Sequence, residues 1–259
     1  MFNRHFAIGL SDEIIPSEVN GLNQLQFPEV TPARRIALTI AESAADRSRA
    51  TELLNRRYAW RGYGANHQIG LCENHTTFIS LLNEEIVGTI TLGVDSPNGL
   101  AIDTLFKNEV DEFRAAPGAQ ICELTKFAYE SDAAAPSNSH LAALFHTVFL
   151  YGIYNYDCTD LFIEVNPRHR RFYQAMLGFQ PIGELRMNPK VDAPSQLMWI
   201  NVSKIAEQIA HHAKPTDAPL RSLYSLFLSP SEEASIKSRL DLRRKLGNCG
   251  YLFSRELND

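Results

Sequence analysis

The sequence predicts a domain that mixes α-helices and β-strands (α/β, in the sense of α+β). It should have a mixed central sheet with helices on both faces. Its 259 residues, 44% hydrophobic and 21% charged, are enough to bury one sizeable core. Runs that alternate as strands do are interleaved with runs at helical spacing, an order typical of helices packed on a sheet. We expect an irregular arm at 1–33, the domain at 34–203 and a C-terminal helical extension at 204–259.

The first half of the domain predicts a strand, a helix and a hairpin. Residues 36–40 alternate as a strand does, and apolar residues recur at helical spacing across 46–58. Residues 76–82 and 86–92 are rich in β-formers and are separated by a short polar turn, which predicts an antiparallel hairpin. A short helix is expected before the next strand.

The second half alternates strands and helices. Ser137, Asn138 and Ser139 offer N-caps for one of these helices. The elements expected here are a strand at 121–129, a helix at 140–155, a strand at 161–165, a helix at 168–177 and strands near 179–185 and 196–202.

The extension begins with a helical pattern at 205–212 and a linker at 214–219. Ser229 and Glu232 then fit a capping box, with Pro230 at the first helical position, so a charged helix should run to Gly247. Its apolar residues are Ile236, Leu240 and Leu246. They could cover an acyl tunnel, or contact another subunit or a membrane surface, but simple packing on the core ranks first.

Composition excludes several classes of function. The formal charge of −5 argues against nucleic acid as the main partner, because phosphate contacts need clustered basic residues. The four cysteines form no Cys-x-x-Cys pair and are interpreted as reduced structural thiols. No secretory signal or membrane span is evident, which predicts a cytoplasmic protein. Histidine spacing and the lack of a Gly-x-Ser-x-Gly elbow predict neither a metal nor a serine nucleophile.

A strand–turn–helix segment at 160–179 carries the clearest motif. Its Asn166, Phe172-Tyr173 and Leu177-Gly178-Phe179, joined to the order of elements, resemble the GNAT acyltransferase superfamily. The runs at 87–96, 122–128 and 162–173 look more narrowly like the long-chain N-acyl amino acid synthases. Those enzymes are related to the acyl-homoserine-lactone synthases, with which this chain shares Glu123 and Lys126. The resemblance covers roughly 34–202.

Acyl transfer from a thioester to an amine needs a base for the amine and an acid for the leaving thiolate. Glu123, in an apolar strand, is the candidate base, and Lys126 is a second catalytic candidate. The alternative is a structural ion pair between the two. Because alternation sends positions 123 and 126 to opposite faces of a strand, such a pair requires a β-bulge near Leu124 or Thr125.

The resemblance places Tyr173 beside the thioester sulfur, where a phenol can protonate the thiolate. A plain core tyrosine is the alternative, because Tyr173 belongs to an apolar stripe at helical spacing. The resemblance also assigns the thioester and its pantetheine arm to Asn166, Phe127 and Ala128. Asn166 can serve at the same time as the N-cap of the helix that follows it.

The loop at 131–140 bears on the acyl donor. Coenzyme-A acetyltransferases place a glycine-rich turn there to bind pyrophosphate, whereas this loop has no glycine and contains Asp132. That difference favours phosphopantetheine on an acyl carrier protein as the donor substrate, with no cofactor bound. Arg168, Arg170 and Arg171 would then dock the acidic carrier. A solvated helix face is the plain alternative.

Arg57, Trp60 and Arg61 lie where relatives bind the acceptor, and an arginine could hold an amino acid carboxylate there. Together these features predict an N-acyltransferase that moves a long-chain acyl group from acyl carrier protein to the α-amine of an amino acid. Alternatives are an acyl-homoserine-lactone synthase using S-adenosylmethionine, an acyl-CoA-dependent N-acyltransferase, and a non-enzymatic module that senses acyl carriers or lipids.

Overall fold

A computed structural model describes residues 34–130, 138–212, 222–247 and 250–257. Every element below belongs to the unit Ala33–Asp259. The arm expected at 1–33 and the linker expected at 214–219 lie outside the described residues.

The described part contains eight strands, six α-helices and two short 3₁₀ helices. In chain order they are β1 Arg34–Ile40, α1 Ala44–Trp60, β2 His75–Leu82, β3 Glu85–Val94, α2 Asp103–Arg114, β4 Ile121–Tyr129, α3 Asn138–Tyr156, β5 Asp160–Val165, a 3₁₀ helix Pro167–His169, α4 Arg170–Leu177, β6 Gln180–Asn188, β7 Ala193–Asn201, α5 Val202–His212, a 3₁₀ helix Leu223–Leu226, α6 Pro230–Leu246 and β8 Phe253–Leu257. The expected order is confirmed through α6.

The eight strands form one mixed sheet in the order β6-β7-β5-β4-β3-β2-β1-β8. Only β4 and β5 are parallel, and the other neighbours pair antiparallel. The final strand β8 was not expected in the helical extension. Its charged sequence carries little strand signal, and its strand conformation depends on pairing with the free edge of β1, where Arg35 lies opposite Glu256.

Helix α3 is apolar almost all round, and such a helix must be covered on more than one side. One side packs on β1, β2 and β3, while the 3₁₀ helix Leu223–Leu226 and α6 cover the other. Ile236 and Leu240 of α6 are buried in this core, which confirms simple packing for both, whereas Leu246 is 73% exposed. The predicted capping box of Ser229 and Glu232 starts α6.

A buried histidine fastens the extension to α3. The His146 Nδ1 atom accepts a hydrogen bond of 3.0 Å from the Leu228 amide, and its ring stacks on Phe227 at 4.6 Å. Burial lowers the pKa of His146 to about 4, against a weaker opposing effect of Glu232. His146 is therefore neutral at pH 7, and the Glu233 carboxylate 3.8 Å from Nε2 is a neighbour rather than an ion-pair partner.

The parallel strands β4 and β5 separate partway along their length. Their pairing ends at Leu124 and Ile163, although β4 continues to Tyr129 and β5 to Val165. Just beyond that point, Lys126 and Phe127 together face Ile90 of β3 as a β-bulge, with Lys126 at φ +52°. The bulge required for pairing residues 123 and 126 exists, slightly further along the strand than expected.

The interpretation of all cysteines as reduced thiols is wrong for two of them. Cys122 and Cys158 form a disulfide, whereas Cys72 is free and exposed. The two half-cystines are 36 residues apart in sequence, but the parallel pairing of β4 with β5 brings the start of each strand to one place. Both are buried, so solvent reductants have little access to the bond.

Reducing this disulfide should destabilise the protein. A cross-link closing a loop of this length restricts the unfolded chain by roughly 3–4 kcal/mol. Denaturant unfolding with and without a reductant should show that loss, and the Cys122→Ala/Cys158→Ala variant should lose the sensitivity to reductant. Cys72→Ala, with the disulfide intact, serves as the control. Equal stability of the wild-type protein in both conditions would contradict the bond.

As the pH falls from about 6.5 to about 4, the domain should lose stability, and His146 should account for part of that loss. The unfolded histidine takes up its proton near pH 6.5, before the folded one does near pH 4, so the unfolded state gains stability as pH falls. The contribution reaches at most about 3 kcal/mol. We expect His146→Leu to be less stable at pH 7 but to show a shallower pH slope. Parallel slopes would exclude this role.

Candidate active site

A cavity of about 320 Å³ opens where β4 and β5 separate. Side chains alternate between the two faces of a strand, so residues from both faces of the sheet line this gap. The apolar lining lies towards α3 and consists of Ile90, Leu124, Phe127, Phe145, Ile163 and Val165. The polar lining, towards α1 and α2, includes Arg61, Thr104, Glu123, Lys126, Glu164, Asn188, Lys190 and Ser195. The cavity thus joins an apolar compartment to a charged one.

Glu123 is fully buried and lies on the charged side. Its carboxylate accepts hydrogen bonds from two backbone amides just before α2, Ala101 at 2.9 Å and Ile102 at 3.0 Å. Burial raises the pKa of Glu123, and the two amide bonds act in the opposite direction. The carboxylate is fixed in place and is a better proton acceptor than an exposed one.

The structural ion pair considered for Glu123 is not formed within the described residues. Glu123 bonds to the start of α2 instead, and no described carboxylate lies within ion-pair distance of Lys126. Burial lowers the pKa of Lys126, while Glu123 is near enough to raise it slightly. The bulge therefore keeps Lys126 on the cavity as a half-buried cation.

Glycine at position 93 leaves room for this arrangement. Gly93 of β3 lies opposite Glu123 on one side and His75 on the other. A Cβ atom there would stand 2.9 Å from the His75 ring and 3.1 Å from Glu123 Cγ, so a larger residue would displace both side chains.

Tyr173 of α4 lines the same cavity between the rings of Phe172 and Phe179. Burial raises its pKa well above the usual value, so the phenol stays protonated at neutral pH. Among the residues that the structure describes, none hydrogen-bonds its hydroxyl. Tyr173 is both a core residue and a free proton donor, so the two interpretations are compatible.

Of the three residues assigned to the thioester and pantetheine, two line the cavity and one packs beneath α1. Asn166 lines the cavity and caps the 3₁₀ helix that follows β5, accepting from the Arg168 amide at 3.2 Å. Phe127 also lines the cavity and packs on Phe145 at 5.5 Å. Ala128 points the other way, into the cluster beneath α1, so its side chain does not reach the cavity.

The three arginines assigned to carrier docking are exposed and flank His169, which lines the cavity. Arg168 donates to the Tyr63 hydroxyl and lies over its ring, while Arg170 donates to Gln174 at 3.1 Å. Arg171 projects from the same turn of α4. These contacts leave the guanidinium groups largely in solvent, with Arg61 close by, 3.3 Å from His169.

Of the acceptor candidates, only Arg61 lines the cavity. Trp60 is 73% exposed and carries the guanidinium groups of Arg57 and Arg61 over its ring, at 5.1 and 6.0 Å. The aromatic wall of the cavity is formed instead by Tyr58, Tyr63 and His67.

Sequence reasoning missed Glu164, a second carboxylate on the charged side. It receives hydrogen bonds from Ser195 and Asn188. The sequence did indicate this residue, because Glu164 interrupts the apolar run 161–165. Acidic residues are seldom buried on a strand unless they have a partner.

The family model of the N-acyl amino acid synthase FeeM matches residues 49–201, more than half of the chain. The chain belongs to this family. It is therefore an N-acyltransferase with the GNAT fold, which uses an acyl thioester as donor and an amine as acceptor.

One solved structure supports this assignment. The structure of FeeM from uncultured soil microbes is 26% identical, covering 66% of this chain and 94% of FeeM, with a TM-score of 0.59. The acyl-homoserine-lactone synthase LasI is 12% identical, covering 64% of this chain and 90% of LasI, with a TM-score of 0.46.

 ElaA from Escherichia coli is 13% identical, covering 63% of this chain and 98% of ElaA, with a TM-score of 0.46. No protein with curated annotation matches the sequence.

The site of this N-acyltransferase has no evident place for a metal. Within the described ranges, no group of three or more His, Cys, Asp or Glu residues is arranged to hold a metal ion. None of the described helices is long and apolar enough to cross a membrane. The groups available for chemistry are the fixed carboxylate of Glu123, the protonated phenol of Tyr173 and the cations that line the cavity.

Replacing Glu123 by Gln should lower kcat by about 10²–10⁴-fold, the usual contribution of a general base. Because the pKa of Glu123 is raised, wild-type kcat should fall with decreasing pH at a pH above the ordinary carboxyl range, and the variant should lose that dependence. Steady-state kinetics across pH would measure both.

A matched control separates chemistry from folding in this experiment. Asp103 orders the same loop, accepting from the Leu100 amide at 2.8 Å and forming an ion pair with Arg114, so Asp103→Asn perturbs the start of α2 without removing the base. That variant should keep most of its kcat. An unchanged kcat in Glu123→Gln would remove Glu123 from the mechanism.

Proposed function

We propose that this N-acyltransferase moves a long-chain acyl group from acyl carrier protein to the α-amine of an amino acid. The observation that carries the proposal is the two-sided cavity at the strand separation. One side is lined by apolar residues suited to an acyl chain, and the other by charged residues suited to an amino acid. The thioester would lie between them, beside Asn166 and Tyr173.

The reaction joins the acceptor nitrogen to the acyl carbon and breaks the carbon–sulfur bond. Glu123 accepts one proton from the acceptor ammonium, directly or through water, which frees the nitrogen lone pair for attack. As the tetrahedral intermediate collapses, Tyr173 donates its proton to the departing phosphopantetheine thiolate. A second proton leaves the nitrogen as the amide forms and restores Tyr173 or passes to solvent, while the third stays on the amide nitrogen. No covalent acyl-enzyme is needed, since one ternary complex positions both substrates.

The apolar side of the cavity supports a long acyl chain. Phe127, Phe145 and Leu124 line it, and Phe145 continues into the row of aromatic rings formed with Phe149. Each methylene transferred from water to such surroundings is worth about 0.8 kcal/mol, so chain length would strongly affect donor affinity.

The exposed arginines support a carrier protein as donor. Arg168, Arg170 and Arg171 form a basic patch beside the cavity mouth, and positive surface complements an acidic carrier. The glycine-free loop that also favours the carrier falls mostly at 131–137, outside the described residues. We place the reaction in the cytoplasm, as expected for a carrier-dependent enzyme.

The donor can be tested with acyl carrier protein and coenzyme A bearing the same acyl chain. We expect kcat/KM for the carrier thioester to exceed that for the CoA thioester and to fall with added salt, because docking is electrostatic. Arg170→Glu/Arg171→Glu should lower kcat/KM for the carrier about tenfold or more, mainly through KM, and leave the CoA reaction unchanged.

The control for that variant is Arg239→Glu/Lys245→Glu, which makes the same charge change on the exposed side of α6. It should behave as the wild type does with both donors. Equal use of both thioesters, or equal losses in the two variants, would exclude carrier docking at α4. Formation of the acylated product in an assay that contains no amino acid would exclude the proposed reaction.

A further inference from the structure

Glu164 is placed where an acceptor would meet the thioester. It lies on β5 one residue beyond Ile163, at which pairing with β4 ends, and two residues before Asn166. The side chains of Ile163 and Val165 enter the α3 core, so alternation directs Glu164 to the opposite, charged side. Glu123 faces the same way from β4.

The two oxygens of the Glu164 carboxylate have different environments. Oε1 accepts hydrogen bonds from the Ser195 hydroxyl and the Asn188 amide. In residues 34–130, 138–212, 222–247 and 250–257, nothing donates to Oε2. One oxygen is therefore clamped from β7 and β6 while the other remains available to a ligand in the cavity. Glu123 differs, because each of its oxygens already accepts a backbone amide.

We propose that Glu164 binds the ammonium group of the acceptor amino acid and holds its nitrogen between Glu123 and the thioester. The inference rests on the proposed function and adds the recognition of the amine. An ammonium group donates in three directions, so it can bond to the free oxygen of Glu164 and still offer a proton to Glu123. No bond is made or broken at Glu164, which binds the charged amine before deprotonation.

The cations of the cavity complete the recognition of a zwitterion. Lys126, Lys190 and Arg61 line the same charged side as the two glutamates. A free amino acid carries both an ammonium and a carboxylate, and it matches a site of paired carboxylates and cations. Charge pairing of this kind favours amino acids over amines that lack a carboxylate.

Glu164→Gln is a near-isosteric test. The glutamine carbonyl can still accept from Ser195 and Asn188, so the contacts that join β5 to β6 and β7 are kept, while the free oxygen becomes an NH₂ group. The acceptor would be the proteinogenic amino acid that the wild-type enzyme acylates fastest. We expect its KM to rise about 10- to 100-fold, as for loss of a hydrogen bond to a charged group, with the KM of the acyl donor unchanged.

Ser195→Ala is the second variant, because it loosens the clamp but keeps the carboxylate; it should raise the KM of the amino acid by a smaller factor. Glu184→Gln makes the same substitution at an exposed position of β6 and should match the wild type. Thermal unfolding of every variant accompanies the kinetics.

An unchanged amino acid KM in Glu164→Gln would overturn the inference. So would a parallel rise in both substrate KM values with a lower Tm, which indicates a structural role. Failure of the wild-type enzyme to acylate any amino acid would instead overturn the proposed function. An amine matching the best acceptor but lacking its carboxylate should bind more weakly and show the same dependence on Glu164; independence would also overturn the inference.

Discussion

The separation of β4 from β5 after Leu124 and Ile163 is the constraint on which the site depends. Two parallel strands that stay paired leave no passage through a sheet, whereas two that separate expose backbone and side chains from both faces. The Lys126–Phe127 bulge lies on the separated part of β4 and returns Phe127 to the apolar side. A thioester held there could present its chain to one face and its carbonyl to the other.

Glu123 connects the chemistry to the fold. Its carboxylate accepts hydrogen bonds from the Ala101 and Ile102 amides, which lie in the loop before α2. The same two hydrogen bonds fix the position of the carboxylate in the cavity. A buried carboxylate without such donors would carry a large desolvation cost, so the start of α2 makes a buried base tolerable. The consequence is that substitution at this position affects both stability and rate, and the two must be measured separately.

The C-terminal extension supports the opposite wall. Helix α3 supplies Phe145 to the cavity, and the far side of α3 is covered by residues after 222, among them Phe227, Ile236 and Leu240. His146 joins this cover to α3 through the Leu228 amide. The extension thus keeps a highly apolar helix out of water and in contact with the sheet, which the shape of the apolar compartment requires.

Local patterns in the sequence determined the elements and their order, because alternation, helical spacing and caps are properties of neighbouring residues. The apolar strand around Glu123 and the family resemblance of Tyr173 made these two the chemical candidates, and both line one cavity. Other features depend on residues far apart in the chain and were decided only by tertiary structure. These include the Cys122–Cys158 bond, the pairing of β8 with β1, the bonding of Glu123 to α2 rather than to Lys126, and the clamp on Glu164. Each requires strand register to bring its partners together, and register is fixed by burial of the whole sheet rather than by any local run.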